Sequence, residues 1–202
     1  MKLFKRFVCF GFVLSMLLQG VLAQKPAVEQ SEMPSRLRGE IERFGQDTGA
    51  FDRLWRSELS AARMARLSDL YADELATLLR MNFDSLNHDD QVDYILFRNH
   101  LEHEQHQMSQ LKAQFAEMEP LIPFARTITD LEDARRRLEF ADAAKSAALL
   151  NELAMQIADT QKAFESASAP KPKRTVAYRA ARSVASLRDT LKRWYTFYNG
   201  YD

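Results

Sequence analysis

The hydrophobic positions of this chain follow two kinds of pattern. Near the amino end, Phe7 to Leu18 is an almost unbroken apolar run. Elsewhere apolar residues recur at steps of three and four, the spacing of one face of an α-helix. From Met33 the spacing predicts a short helix with Pro34 in its first turn and Leu37, Ile41 and Phe44 on one face. Gly45 to Gly49 is expected to interrupt it, and Phe51, Leu54 and Trp55 form a second short group. Ser60 caps a helix running to about Met81, with Met64, Leu67, Tyr71, Leu75 and Leu78 on its stripe.

Asn87 caps the longest helix, which ends before Pro120 and opens with Asp89 and Asp90, where the helix dipole favours acids. Tyr94, Phe97, Leu101, Met108, Leu111, Phe115 and Met118 follow a heptad seam, broken where Glu104 takes an apolar slot. Val92, Ile95 and Leu96 add apolar character on the other side, so its first turns are expected to be surrounded and its later ones half covered. After an apolar connector, Leu121 to Phe124, Thr127 or Thr129 can cap a short helix. Its Arg135, Arg136 and Arg137 alternate with Glu132, Asp133 and Glu139, which reads as a solvated charged face. Asp142 caps an Ala-rich helix bearing Leu150, Leu153, Ile157 and Phe164. Ser166 to Lys173, with Pro170 and Pro172, is a linker. A final helix carries Val184, Leu187, Leu191, Trp194 and Tyr198 up to the stop at Asn199-Gly200. The prediction is an all-α fold: an irregular bundle of about six or seven helices, with heptad-like seams in the longer ones and no strands.

Composition agrees, with 6 Gly and 6 Pro in 202 residues and abundant helix formers. The apolar run has the anatomy of a secretory signal: Lys2, Lys5 and Arg6 precede it, and Val21-Leu22-Ala23 offers a cleavage site. Residues 1–23 are therefore expected to be a signal peptide, 24–32 a flexible tether, and 33–202 a single helical domain, periplasmic or secreted after cleavage near Ala23. Phe7 to Ala23 falls short of the roughly 20 apolar residues that span a bilayer. Cys9, the sole cysteine, leaves with the signal, so disulfides and thiol chemistry are excluded from the mature chain. The neutral balance of 28 basic and 28 acidic residues points to no nucleic-acid partner. Membrane contact is expected only through the signal peptide during export.

Candidate chemistry is sparse. His100, His103 and His106 suggest a metal patch, but ligands three apart on a helix diverge by about 60°, so the outer two are about 120° apart. Zincins instead place two His four apart with Glu after the first. The three are read as solvent-facing, with His100 pairing with Glu104 one turn on. No phosphate loop, nucleophile elbow or cysteine nucleophile occurs, so no catalytic residue, cofactor or metal is assigned to this chain. Asp89, Asp90 and Asp93 read as cap and surface acids. Arg179, Arg182, Arg188, Lys192 and Arg193 could suggest an anionic partner. Two points favour a solvated face instead: they interleave with an apolar stripe, and cations near a helix C-terminus complement its dipole. Trp194, Tyr195, Phe197, Tyr198 and Tyr201 are more aromatics than one face of a terminal helix can bury, which makes them candidate partner-docking residues. A chain ending there reads as interrupted.

Two stretches carry a resemblance. One is Leu86-Asn87-His88-Asp89-Asp90-Gln91-Val92-Asp93-Tyr94, continuing as Leu96-Phe97-Arg98-Asn99-His100-Leu101-Glu102-His103-Glu104. The other is Arg193-Trp194-Tyr195-Thr196-Phe197-Tyr198-Asn199-Gly200-Tyr201-Asp202. In these the chain resembles the amino-terminal third of the domain-of-unknown-function 885 family, large exported bacterial proteins regarded as zinc metallopeptidases. The resemblance implies a helical wall or lid beside a peptidase channel, inactive alone. It places the zinc-binding histidine–glutamate motif in a downstream domain, so zinc is a cofactor only of the complete family protein. The partner it implies at the aromatic end is that downstream domain. The alternative is a self-sufficient interaction or scaffold module that docks a partner through the same aromatics.

Overall fold

The computed structural model describes residues 35–166 and 171–200. The expected signal peptide with Cys9, the tether, Pro34, part of the predicted linker, Tyr201 and Asp202 lie outside the described residues. Six α-helices account for most of the rest: α1 (Arg38–Leu54), α2 (Ala61–Leu79), α3 (His88–Met118), α4 (Ala125–Arg136), α5 (Ala143–Glu165) and α6 (Arg174–Tyr198). Two 3-10 turns, Phe83–Ser85 and Glu119–Leu121, sit on either side of α3. No strand occurs among the described residues, and the arrangement is an irregular helical bundle.

Three N-caps stand where the sequence places them. The Ser60 hydroxyl accepts from the Arg63 amide at 3.1 Å, the Asn87 side chain from Asp90 at 2.8 Å, and Asp142 from Lys145 at 2.8 Å. Helix α4 differs. It begins at Ala125 with no side-chain cap, because the Glu119–Leu121 turn and the buried Ile122, Phe124 and Ala125 already direct the chain into it. Thr129 is buried in the helix and donates to the Arg126 carbonyl, so neither Thr127 nor Thr129 is a cap. The expected break at Gly45 to Gly49 is also absent. A helical glycine costs only about 1 kcal/mol relative to alanine. Unbroken helix keeps Leu37, Ile41, Phe44 and Phe51 on one face against α2 and α3, and that burial outweighs the glycine cost.

Two apolar clusters result. The first packs Leu37 and Phe44 against Met64, Leu67, Tyr71 and Leu78 of α2 and Tyr94, Phe97, Leu101 and Met108 of α3. The second gathers Met118, Ile122, Phe124 and Ile128 with Leu153 of α5 and Val176, Ala180 and Leu187 of α6. Phe115 touches both, so α3, about 46 Å long at 1.5 Å per residue, is the beam they share.

Three expectations about exposed apolar positions are corrected. Val92, Ile95 and Leu96 face solvent, because α1 and α2 cover only the seam side of α3. Helix α5 buries Leu153 and half-buries Leu150, whereas Ile157 and Phe164 extend past the body it leans on. Val184 also faces outward while Leu187 and Trp194 go inside.

Candidate functional site

The aromatic end of α6 divides its rings by depth. Trp194 is buried and lies 5.1 Å from the half-buried Tyr198, whose ring meets Phe197 edge-on at 4.9 Å. Tyr195 and Phe197 remain 56% and 41% exposed. The surplus anticipated from the sequence is therefore real at these two positions, while Tyr201 lies outside the described residues. Phe197 carries the Arg135 guanidinium 4.9 Å from its ring centre, a cation–π contact that fixes where the rings sit.

Arg135 is itself held from beneath. Its Nε donates to Glu132 Oε2 at 2.8 Å and a terminal nitrogen to Oε1 at 2.6 Å, a bidentate pair; Arg136 Nε adds a contact at 3.2 Å. Glu132 is 1% exposed, so the solvated face expected for this helix is corrected: α6 and the start of α2 close over it. Arg137 alone of the triplet stays at the surface, paired with Glu139. Burial by itself pushes the Glu132 carboxyl up, but the hydrogen bonds and charges of Arg135 and Arg136 more than offset it, holding the group below its ordinary range.

Its neighbour Asp133 behaves oppositely. Ser60 donates to one carboxyl oxygen at 2.5 Å, and the other oxygen is buried without a hydrogen bond. Burial dominates and raises this carboxyl, against the lowering effects of Ser60 and Arg137. A hydroxyl beside a raised carboxyl could suggest general-base chemistry. Ser60 and Asp133 are, however, 0% and 2% exposed, so no substrate atom reaches them, and the pair acts as a bolt between α2 and α4. On the first cluster, Arg43 ties Glu40 to the buried Glu74 of α2 at 3.3 Å, and burial raises the Glu74 carboxyl.

The histidines lie on the outer side of α3. His100 is exposed with its ring edge-on to Phe44 at 5.6 Å, His103 is exposed, and His106 meets Gln110 at 2.7 Å. No ion pair joins Glu104 to His100 among the described residues; burial, and then the Glu104 charge, push the Tyr71 hydroxyl up. No three His, Cys, Asp or Glu side chains converge as a metal site among the described residues.

The amino-terminal stretch of the resemblance has structural work instead. Asp90, expected at the surface, is fully buried and accepts the Arg36 amide at 2.7 Å, fastening the start of α1 to the start of α3. Gln91 donates to the Phe83 carbonyl at 3.2 Å, and the Tyr94 ring meets Phe83 edge-on at 5.2 Å. The sequence signalled the cap at Asn87 but not the fastening, because Arg36 is 54 residues away. A shallow depression on α5, beside Met155 and Asp159, is lined among the described residues by one helix alone and has no opposing wall. No described helix is long and apolar enough to cross a membrane. Compared with protein-family models, with curated proteins and with solved structures, the chain matches none.

Proposed function

We propose that this chain is a non-catalytic helical wall of an exported, metallopeptidase-like protein, and that further polypeptide packs on the aromatic end of α6. The observation that carries this reading is the exposure of Tyr195 at 56% beside a ring cluster whose position is set by the buried Glu132–Arg135 pair. Exposed large aromatics on a rigid support are the usual anchors of protein interfaces. The resemblance of the two stretches at the start of α3 and the end of α6 supports the family reading, and the basic start, apolar run and Ala23 cleavage site support export. In that architecture zinc and the catalytic base belong to the downstream segment, and this chain contributes shape and a docking face.

The first test is the gene beyond the codon for Asp202. An in-frame continuation into a proline- and aromatic-rich segment, and later a histidine–glutamate zinc motif, is expected; an immediate stop followed by intergenic sequence overturns the reading. The second is association: the downstream segment, expressed separately, should bind this chain and change Trp194 fluorescence, with Tyr195→Ala weakening binding at least tenfold. Binding indifferent to Tyr195 would remove α6 as the docking face. The alternative, a self-sufficient interaction module, uses the same rings on a separate protein, and a stop codon at that point selects it.

A further inference from the structure

The long outer face of α6 is independent of its aromatic end. The helix carries Arg174, Arg179, Arg182, Arg188, Lys192 and Arg193 against a single acid, Asp189. Two arguments made these cations a solvated face in the sequence: they alternate with apolar residues, and they approach the helix C-terminus. Neither describes the folded helix. Val176, Ala180, Leu187, Thr190 and Trp194 are the buried side, and at 100° per residue Arg174, Arg182, Arg188, Lys192 and Arg193 fall within about 80° of Tyr178 on the opposite side. The last turn contains no basic residue, so these charges do not serve the dipole there.

Most of them lack carboxylate partners. Arg179, nearer the core, pairs with Glu117, and Arg188 lies 3.6 Å from its neighbour Asp189. Arg182 rests 6.0 Å over the ring of Tyr178, Arg193 donates to the Thr190 hydroxyl, and neither Arg174 nor Lys192 has an ion pair among the described residues. The result is a convex positive ridge about 28 Å long on a chain of zero formal net charge.

We infer that this ridge docks on an anionic phospholipid surface. Charge complementarity requires an anionic occupant, and the form of the ridge selects among anionic ones. Protein interfaces are built around a well-packed apolar centre, whereas this ridge has no apolar anchor but Tyr178. Nucleic-acid phosphates are held at fixed spacing along both groove walls, where Asp189, mid-ridge, would face them. A fluid layer of headgroups adapts to irregularly spaced cations, tolerates one acid, and accommodates a tyrosine 65% exposed, since tyrosine rings favour the headgroup level.

The test uses the chain from Gln24 to Asp202, the product expected after cleavage near Ala23. Sedimentation with phosphatidylcholine vesicles containing about 30% phosphatidylglycerol is compared with pure phosphatidylcholine. The expected result is binding to the anionic vesicles only, weakened at least tenfold in Arg174→Glu/Arg182→Glu/Lys192→Glu and abolished near 0.5 M salt, where the Debye length is only a few ångströms. These side chains are exposed, so circular dichroism and the melting curve of the variant should match the parent; the milder Arg174→Gln/Arg182→Gln/Lys192→Gln should fall between. Equal binding to both vesicle types, or full binding by the glutamate variant, overturns the inference. So does duplex DNA that strips the parent from vesicles at equal phosphate concentration. Tyr195→Ala should leave vesicle binding unchanged, which separates this surface from the docking face proposed above.

Discussion

The two halves of the bundle are held by different physics. Where α1, α2 and α3 meet, the interior is Leu, Phe, Met and Tyr on regular helical stripes, with the buried carboxyls Asp90 and Glu74 set apart from each other beside it. Where α4 meets α6 and the start of α2, full burial extends to Ser60, Thr129, Glu132 and Asp133. A helix stripe can be swapped for another of similar volume at modest cost, but a buried carboxylate depends on each of its partners. The polar end is therefore the less tolerant of the two, and it is the end that positions the exposed rings of α6.

The polar end should suffer most from loss of its central acid. Glu132→Ala leaves Arg135 and Arg136 facing a buried void of charge and should cost about 4 kcal/mol in urea unfolding, as broken buried pairs do. Loss of under 1 kcal/mol would mean that the pair is dispensable. At the apolar end, Leu101→Ala removes a side chain with 0% exposure and should cost about 3 kcal/mol, the usual sum of lost burial and residual cavity.

A pH series sharpens the contrast within the polar end. Glu132 is held below its ordinary 4.5, so its contribution is complete above that pH and fades as pH falls through the lowered value. Asp133 is raised above its ordinary 3.8, so its contribution is complete below that pH and fades as pH rises through the raised value. In urea titrations from about pH 3 to pH 7, the deficit of Glu132→Gln should grow with pH, while that of Asp133→Asn should shrink or reverse. Parallel curves would show that the two adjacent carboxyls share one environment.

The smallest effects come from backbone. Leu138, just past α4, has φ of +58° with an 85% exposed side chain, so Leu138→Gly should stabilise the protein by about 1 kcal/mol by relieving left-handed strain. A Cβ at Gly45 would meet nothing within 4 Å, and Gly45→Ala should add about 0.5–1 kcal/mol. Thermal melts read both. Destabilisation by the alanine would mean that α1 does bend at its glycines.

The candidate site was half legible. Five aromatics in nine residues announce a surplus whatever the fold, and the structure leaves Tyr195 and Phe197 outside as that surplus requires. That Phe197 would carry Arg135 was not legible, because an arginine triplet alternating with acids has the same local pattern whether it is solvated or buried. The histidine run shows the converse: all three are exposed on α3 as their spacing suggested, although His100 also lays its ring edge-on to Phe44.

The helical class, the caps at Ser60, Asn87 and Asp142, and the stripes of α2 and α3 are written in local sequence, because each depends on residues within one or two turns. Long-range packing is what carries α1 through its glycines, takes Glu132, Asp133 and Asp90 inside, and turns the cations of α6 to one outward face. The reason is range. A cap spans three residues, whereas the Ser60–Asp133 bond closes 73 and the Arg36–Asp90 bond 54, and burying a charge is favourable only once such distant partners have arrived.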